Sequence, residues 1–470
     1  MTADAAAPAR RDTAVQRSWY WYDWANSAFY TTVLTVLFAP YMITVAGRAA
    51  GCVDADDTCS RTVSLFGLHL AAGSLPSYLT SFATIASAVV LPVVGVLVDR
   101  SPHKRRHMAG FAWAGAACGS LLFWLRDDQW QIGAFAIVLS SILAGCSLVS
   151  YYAILVDIAD PDDRDRVSSR GWAWGYLGGG LLLLVNLVVV LGHDTFGLSK
   201  EMAVRVSLLS AVVWWAAFTV IPYRGLRSLD AARTTAPARA PADAGLWRAS
   251  FGQLARTLRE LPRYPMTLTF LVAYLFYNDG IQTVVASAST YGSKQLGFSD
   301  SVLIATILLI QFVAFGGALL FGRLAARHGA YRSLLWGTVA WMAIVLAALV
   351  LPERSVVPFL LVGTAIGVVM GGTQALSRSF FSQLIPTGRE GEYFALYNAC
   401  ERGTSWFGTL LFGVVFQLTG SYRPSILALI VFFVLGGLVL TRLDVERGIA
   451  EAAGTPVVPG SDPGSAPPSA

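Results

Sequence analysis

Residues 95–106 read Gly95-Val96-Leu97-Val98-Asp99-Arg100-Ser101-Pro102-His103-Lys104-Arg105-Arg106. A half-protein later comes Gly322-Arg323-Leu324-Ala325-Ala326-Arg327, with Gly329 and Arg332 beyond it. Each stretch closes a long apolar run with a glycine-led basic turn, and the two leading glycines stand 227 residues apart. A repeat of this kind signals an internal duplication. Set between membrane-crossing helices, it is expected of a two-halved transporter in which one half rocks against the other around a central site.

Of the 470 residues, 55% are hydrophobic and 13% charged, and the mean hydropathy is +0.57. A water-soluble domain of this length cannot hide so much apolar surface, so the chain belongs in a bilayer. Apolar runs of about 20 residues, enough to cross roughly 30 Å of hydrocarbon, lie near 21–46, 75–98, 108–125, 131–156, 169–192, 202–222, 265–290, 301–322, 333–351, 355–377, 395–418 and 424–441. They are spans 1 to 12 below. The expected fold class is all-α integral membrane, with twelve transmembrane helices in two pseudo-symmetric six-helix bundles. The expected layout is a tail over 1–18, a first bundle over 19–222, a linker over 223–264, a second bundle over 265–442 and a disordered tail over 443–470, rich in Pro, Gly, Ser and Ala.

The net charge of +5 follows topology. Basic residues gather at Arg10, Arg11 and Arg17, from Arg100 to Arg106, at Arg323, Arg327 and Arg332, and through the central loop from Arg224 to Arg263. These are alternate loops, and the positive-inside rule makes them and both termini cytoplasmic. A nucleic-acid partner would need an aromatic or helical recognition module, and the sequence has none. It also has no Walker loop, zinc-ligand spacing or nucleophile elbow, so no enzymatic chemistry, metal or cofactor is expected.

Cys118, Cys146 and Cys400 fall in apolar runs and read as packing residues. Cys52 and Cys59 share the one long outward loop, 47–74, where a local disulfide is expected to persist. Small residues recur every fourth position at Gly171, Gly175 and Gly179 in span 5 and at Gly363, Gly367 and Gly371 in span 10, a pattern that lets helix backbones approach in lipid.

Charged and amide side chains inside hydrocarbon cost about 2.5–3.5 kcal/mol for an Asp at a helix centre and persist where a site or pathway needs them. Those present are Asp23 and Asn26 in span 1, Asn186 in span 5, Asn278, Asp279 and Gln282 in span 7, Gln311 in span 8, Gln374 in span 10, and Asn398, Glu401 and Arg402 in span 11. Helical spacing puts Asp279 with Gln282, and Asn398 with Arg402, on shared faces. The candidate substrate or proton pathway is therefore Asp23, Asn26, Asn278, Asp279, Gln282, Gln374, Asn398, Glu401 and Arg402.

Within this set, Asp23 lies near its expected helix start, where it can reach water, and Trp19 to Tyr22 beside it read as an interfacial aromatic belt first and a substrate cage second. The offset from Asp23 to Asp279 is 256 residues. The longer outward loop at 47–74, against 291–300 in the second half, would reconcile this with 227, although the two aspartates sit at unequal depths. For Glu401 the competing role is an internal pair with Arg402 or Arg378. All five histidines, at 69, 103, 107, 193 and 328, fall in loops or at helix ends. A coupling proton is thus expected on a buried carboxylate, with Asp279 first, Glu401 second and Asp23 third.

The turn at 95–106 resembles the signature loop between the second and third helices of the major facilitator superfamily. That resemblance implies a cytoplasmic gate in which Gly95, Asp99 and Arg100 latch helix ends and let go during alternating access. Arg327 is the matching basic residue of the second copy, which has Ala326 where the acid should stand and so forms a weaker latch.

Four segments narrow the resemblance: Tyr22-Asp23-Trp24-Ala25-Asn26-Ser27-Ala28-Phe29; Ser168-Ser169-Arg170-Gly171 running to Gly175-Tyr176-Leu177-Gly178-Gly179-Gly180; Tyr277-Asn278-Asp279-Gly280-Ile281-Gln282-Thr283; and Gln374-Ala375-Leu376-Ser377-Arg378-Ser379. Together they resemble the autophagy-related vacuolar effluxer family, bacterial members included. Membership implies a twelve-helix major facilitator fold and no enzyme activity. Its fungal members are associated with amino-acid export from the vacuole, which implies a secondary transporter of a small polar metabolite, amino acids first. Ala- and Arg-rich usage points to a bacterial chain in the cell (inner) membrane. The alternatives are efflux of amphipathic toxic compounds or drugs, disfavoured because span 4 lacks the buried arginine of proton-coupled drug exporters, and a non-transporting sensor or scaffold. The expected partners are a small-molecule substrate, the lipid bilayer and, if transport is proton-driven, a coupling proton; the chain is expected to be a monomer.

Overall fold

Thr13 starts the first helix: its hydroxyl accepts from the Gln16 amide and the Gln16 side chain accepts from the Thr13 amide, both at 3.1 Å. This reciprocal cap satisfies two amides that a helix end otherwise leaves unbonded. In the computed structural model, which describes residues 12–52, 61–65, 68–234, 256–257, 259–403 and 405–454, helices occupy all twelve expected spans. They are α1 Ala14–Ala49, α2 Leu75–Arg100, α3 Lys104–Ser120, α4 Trp130–Ile158, α5 Arg164–Leu191 and α6 Lys200–Gly225. The second half has α7 Pro265–Thr290, α8 Asp300–His328, α9 Ala330–Leu349, α10 Val356–Gln383, α11 (Glu390–Gly403 and Ser405–Thr419) and α12 (Tyr422–Ala428 and Ile430–Leu440). Among the described residues, nine helical stretches are long and apolar enough to cross a membrane. The other three spans, α3, α7 and α11, are helical as well.

Both ends differ from expectation. The tail expected over 1–18 gives up its last residues to α1, because the Thr13 cap sets the start at Ala14. The tail expected to be disordered over 443–470 contains a helix, Val445–Ala453, whose Glu451 carboxylate accepts from the Met266 amide at the start of α7 (3.2 Å). The linker opens with a helix over Arg227–Thr234, and 235–255 lie outside the described residues. One element departs from all-helical architecture: β1 Thr62–Leu65 pairs antiparallel with β2 Leu68–Ala71 in the loop before α2, Thr62 opposite Ala71.

The duplicated turn occupies matching places. A Cβ on Gly95 of α2 would lie 2.5 Å from the carbonyl oxygen of Gly391 on α11, and a Cβ on Gly322 of α8 would lie 2.7 Å from Ser169 of α5. Each leading glycine thus lets a helix of one bundle touch the backbone or a small residue of the other, and the two contacts, α2 on α11 and α8 on α5, are related by the duplication. At Gly329 the second turn needs a backbone φ of +83°, which favours glycine.

Within the first bundle, the stripe Gly171, Gly175 and Gly179 packs α5 on α1. Cβ atoms there would lie 2.6–2.7 Å from Asp23, Ser27 and Thr31. Gly363 and Gly367 of α10 lie in the same manner against Thr306 and Ile310 of α8. Phe29–Leu37 in α1 and Tyr291–Gln295 after α7 wind as π-helix, closing with amide bonds that reach five residues back, from Phe38 to Val33 and from Leu296 to Tyr291.

Candidate functional site

Arg378, on α10, has none of its side chain exposed. A buried guanidinium must find both countercharge and hydrogen-bond acceptors, and it finds them on the other bundle. Nη1 donates to Asp23 Oδ2 of α1 (3.2 Å), while Nε and Nη2 donate to the hydroxyl and carbonyl of Ser168 on α5 (2.9 Å each). The rings of Trp19, Tyr152, Trp172 and Tyr151 lie 4.9–5.5 Å from the guanidinium carbon, close enough for cation–π attraction. The Tyr151 hydroxyl donates to Asp23 Oδ2 at 2.7 Å. A Cβ on Gly171 would sit 2.6 Å from that oxygen and 3.0 Å from Arg378 Nη2, so glycine leaves the room the pair occupies.

This arrangement corrects two sequence readings. Arg378 pairs with Asp23, not with Glu401. Trp19 is fully buried, stacks on Tyr151 at 4.3 Å and donates to its carbonyl, so it belongs to the junction between bundles and not to an interfacial belt. The cause is shared: with α1 starting at Ala14, Asp23 lies nine residues into the helix.

On the second bundle, α7, α10 and α11 build an amide network. Asn278 donates to the Glu401 carbonyl (3.3 Å) and accepts from Gln374 Nε2 (3.0 Å). Asn398 donates to the Phe394 carbonyl of its own helix (2.9 Å), and Tyr277 bonds Ser377 (2.7 Å). Tyr274 stacks on Tyr397 with ring centroids 4.2 Å apart. Glu401 is half-buried on α11. The Arg402 side chain lies outside the described residues.

Asp279 is buried and turned to α11, where Oδ2 accepts from the Gly408 amide at 3.0 Å. Gln282 is half-buried and makes no hydrogen bond among the described residues, so the two do not act as a pair. Asp23 and Asp279 are not counterparts either: Asp279 lies fourteen residues beyond Pro265, and it faces its own bundle. Asn26 is buried with its amide nitrogen unpartnered. Of the remaining amides, Asn186 accepts from Ser210 within the first bundle, whereas Gln311 of α8 donates to Thr31 of α1 (2.9 Å), another tie across the halves.

The side bearing the basic loops is sealed. Asp99, at the end of α2, accepts from the amides of Gly391 (2.6 Å) and Glu392 (2.9 Å) in the first turn of α11, where unpaired amides and the helix dipole favour an anion. Lys104 is buried beside it, 3.3 Å from Asp157 and 3.7 Å from Glu390. Arg164 of α5 donates to the Ser382 carbonyl of α10 (2.9 Å), and Ser168 to that of Ala375 (2.7 Å). Arg100 is exposed, and Arg327, also exposed, makes no ion pair among the described residues. Glu390, Arg164 and Ser168 were absent from the sequence-derived gate; Ser168 stood in a quoted motif, but its partner lies far along the chain. Cys52 is disulfide-bonded, Cys118, Cys146 and Cys400 form no disulfide, and Cys59 lies outside the described residues.

Comparison with known proteins agrees with this architecture. The family described as vacuole effluxer Atg22 like matches residues 11–453. An uncharacterized MFS-type transporter, YxiO of Bacillus subtilis, is 28% identical over 439 residues, covering 93% of this chain and 96% of that one. Autophagy-related protein 22-1 of Phaeosphaeria nodorum is 24% identical, covering 83% and 79%. Among solved structures, a bacterial homologue of the iron transporter ferroportin in an outward-facing state has a TM-score of 0.63 at 13% identity, over 92% of this chain and 99% of that one. The fucose:proton symporter FucP of E. coli has a TM-score of 0.60 at 13% identity, over 92% and 98%. These likenesses show the major facilitator fold. The chain is a membrane transporter of that type, and it belongs to the vacuole effluxer Atg22-like family.

Proposed function

We propose that the chain carries a small polar metabolite, amino acids first, across the cell membrane by alternating access, with both termini cytoplasmic. The observation that carries this reading is the Asp23–Arg378 pair, two opposite charges on different bundles buried where the bundles meet. Buried charges are costly and are kept where a pathway needs them. Because one sits on each bundle, rocking must either pivot on the pair or part it in every cycle. The Asp99 seal supports the same reading: it closes one face through contacts weak enough to break singly, as a gate requires. The side assignment rests on the basic loops. The amino-acid preference rests on the family's description as vacuole effluxers and on its fungal members. A coupling proton, as in the FucP symporter, would ride on Asp279, Glu401 or Asp23.

Counterflow of labelled amino acids in proteoliposomes, with and without a pH gradient, tests the proposal. Saturable counterflow that Arg378→Ala abolishes is expected. Movement of amphipathic dyes with none of amino acids would favour drug efflux. A folded protein that moves no solute would point to a sensor or scaffold.

A further inference from the structure

The two copies of the duplicated turn treat their cations differently. In the first, each residue of the run Lys104-Arg105-Arg106 has an acid at 2.5–3.9 Å: Asp157 and Glu390 for Lys104, and Asp230 for both arginines. In the second, Arg323, Arg327, His328 and Arg332 are all exposed, and none has an acidic partner among the described residues. Arg442, exposed at the end of α12, has none there either, and the nearby Asp444 accepts from the Arg447 amide instead (3.0 Å). These cations share one corner. The Tyr331 hydroxyl donates to the Leu440 carbonyl (3.1 Å), which holds the first turn of α9, with Arg332, against the end of α12, with Arg442. The His328 ring meets that of Trp336 at 5.1 Å, which keeps the end of α8 at the same place.

Beyond the arginines, α9 and α12 leave a gap. Leu335, Val339 and Met342 line one wall of a groove of about 230 Å³, and Val434, Leu438 and Thr441 line the other. Gly437 gives it depth, since a Cβ there would already lie 3.3 Å from the Thr338 methyl. The corresponding crevice of the first bundle, between α3 and α6, is occupied by Trp113, which donates to the Ala216 carbonyl (3.0 Å) and packs on the Tyr223 ring. The groove faces lipid: Trp336, Val339, Leu346 and Val350 form one exposed apolar stripe along α9, and Val434 and Leu438 are exposed beside it.

We infer that this corner of the second bundle binds an anionic phospholipid, with one acyl chain in the α9–α12 groove and Arg332 and Arg442 donating to the headgroup phosphate at its mouth. An apolar groove alone would hold any acyl chain, and exposed arginines alone would hold any anion. Set in this order along the helix axes, they fit a molecule that carries a phosphate above a chain. Trp336, one turn from Arg332 on the same exposed face, stands at the depth where indoles sit among headgroups. The leaflet is the one on the side of the basic loops. The site is separate from the Asp23–Arg378 pair and does not depend on which solute the chain carries.

The test uses the full-length chain purified in detergent and three probes: phosphatidylglycerol, phosphatidylcholine with the same acyl chains, and glycerol 3-phosphate, which has the phosphate without the chains. Each is titrated while the thermal midpoint is followed, because a ligand of the folded state raises it by mass action. Phosphatidylglycerol is expected to act at concentrations at least about tenfold below phosphatidylcholine, and glycerol 3-phosphate to have no effect. Arg332→Gln with Arg442→Gln should erase the preference and leave the lipid-free midpoint unchanged, since neither side chain has an acidic partner to lose among the described residues. Val339→Trp, which fills the groove as Trp113 fills its counterpart, should weaken both lipids. Arg224→Gln with Arg227→Gln removes the same charge from exposed positions of the first bundle and should keep the preference. Equal action of the two lipids, glycerol 3-phosphate as effective as phosphatidylglycerol, or a preference that survives loss of Arg332 and Arg442 would each overturn the site. So would a preference lost equally in the Arg224 and Arg227 variant, which would reduce it to bulk charge.

Discussion

Asp99 of the first bundle caps the amide of Gly391 in the second, so the first turn of α11 is completed by a residue 292 positions away. A helix cap is worth about 0.5–2 kcal/mol. Here that energy is available only while the two bundles are closed on the basic side. Asp99→Ala should therefore open this face without unfolding either bundle. A cysteine placed at Ser382, buried beneath the seal, should react several times faster with a membrane-impermeant thiol reagent in that background, and equal rates would show that Asp99 does not hold the gate.

Arg378→Ala leaves Asp23 buried without its cation, and losing one partner of a buried pair costs about 3–5 kcal/mol. A marked fall in thermal midpoint is expected. Arg378→Lys should rescue little of it, since an ammonium cannot serve Asp23 and both Ser168 oxygens with a planar fork. The double change Asp23→Asn with Arg378→Gln removes both charges and should regain much of the stability while transport stays lost. Wild-type flux in the double variant would reduce the pair to scaffolding.

Gly171→Ala forces a methyl group to within 2.6 Å of the Asp23 carboxylate and 2.8 Å of the Trp19 ring. Overpacking of this kind costs about 1–3 kcal/mol. Gly110→Ala and Gly316→Ala meet no atom within 4 Å and should leave the midpoint unchanged. Thermal unfolding of all three separates close packing at the pair from a general intolerance of added side chains.

Ending the chain at Leu443 removes the helix Val445–Ala453 and with it the Glu451 carboxylate that bonds the Met266 amide. The start of α7 then loses an acceptor, and a drop of a few degrees in midpoint is expected. Glu451→Gln should reproduce part of the drop, since an amide oxygen still accepts but carries no charge for the helix dipole. An unchanged midpoint in both would mark the terminal helix as dispensable.

The membrane fold was readable because its signals are local: apolar runs of spanning length, a turn that occurs twice, and glycines every fourth position. The amide members of the site, Asn278, Gln374 and Asn398, were also visible, because a polar group in hydrocarbon stands out residue by residue. The partner of Arg378 was not, because Asp23 lies 355 positions away and helical periodicity says nothing about which helices of two bundles will touch. The misreading of Trp19 as an interfacial anchor had a signal that would have prevented it. Thr13-x-x-Gln16 is a helix-start pattern, and it moves Asp23 and its aromatic neighbours two turns deeper.

The wider coil at Phe29–Leu37, repeated at Tyr291–Gln295, has a mechanical consequence. A π turn stores an extra residue, so its passage to α geometry twists whatever lies beyond it about the helix axis. In α1 everything on the Asp23 side can stay fixed while the far third swivels. In the second bundle the π turn follows the last residue of α7, Thr290, so the torsional joint inside a spanning helix belongs to α1, which can twist beyond Phe29 while the charges at the centre keep their grip.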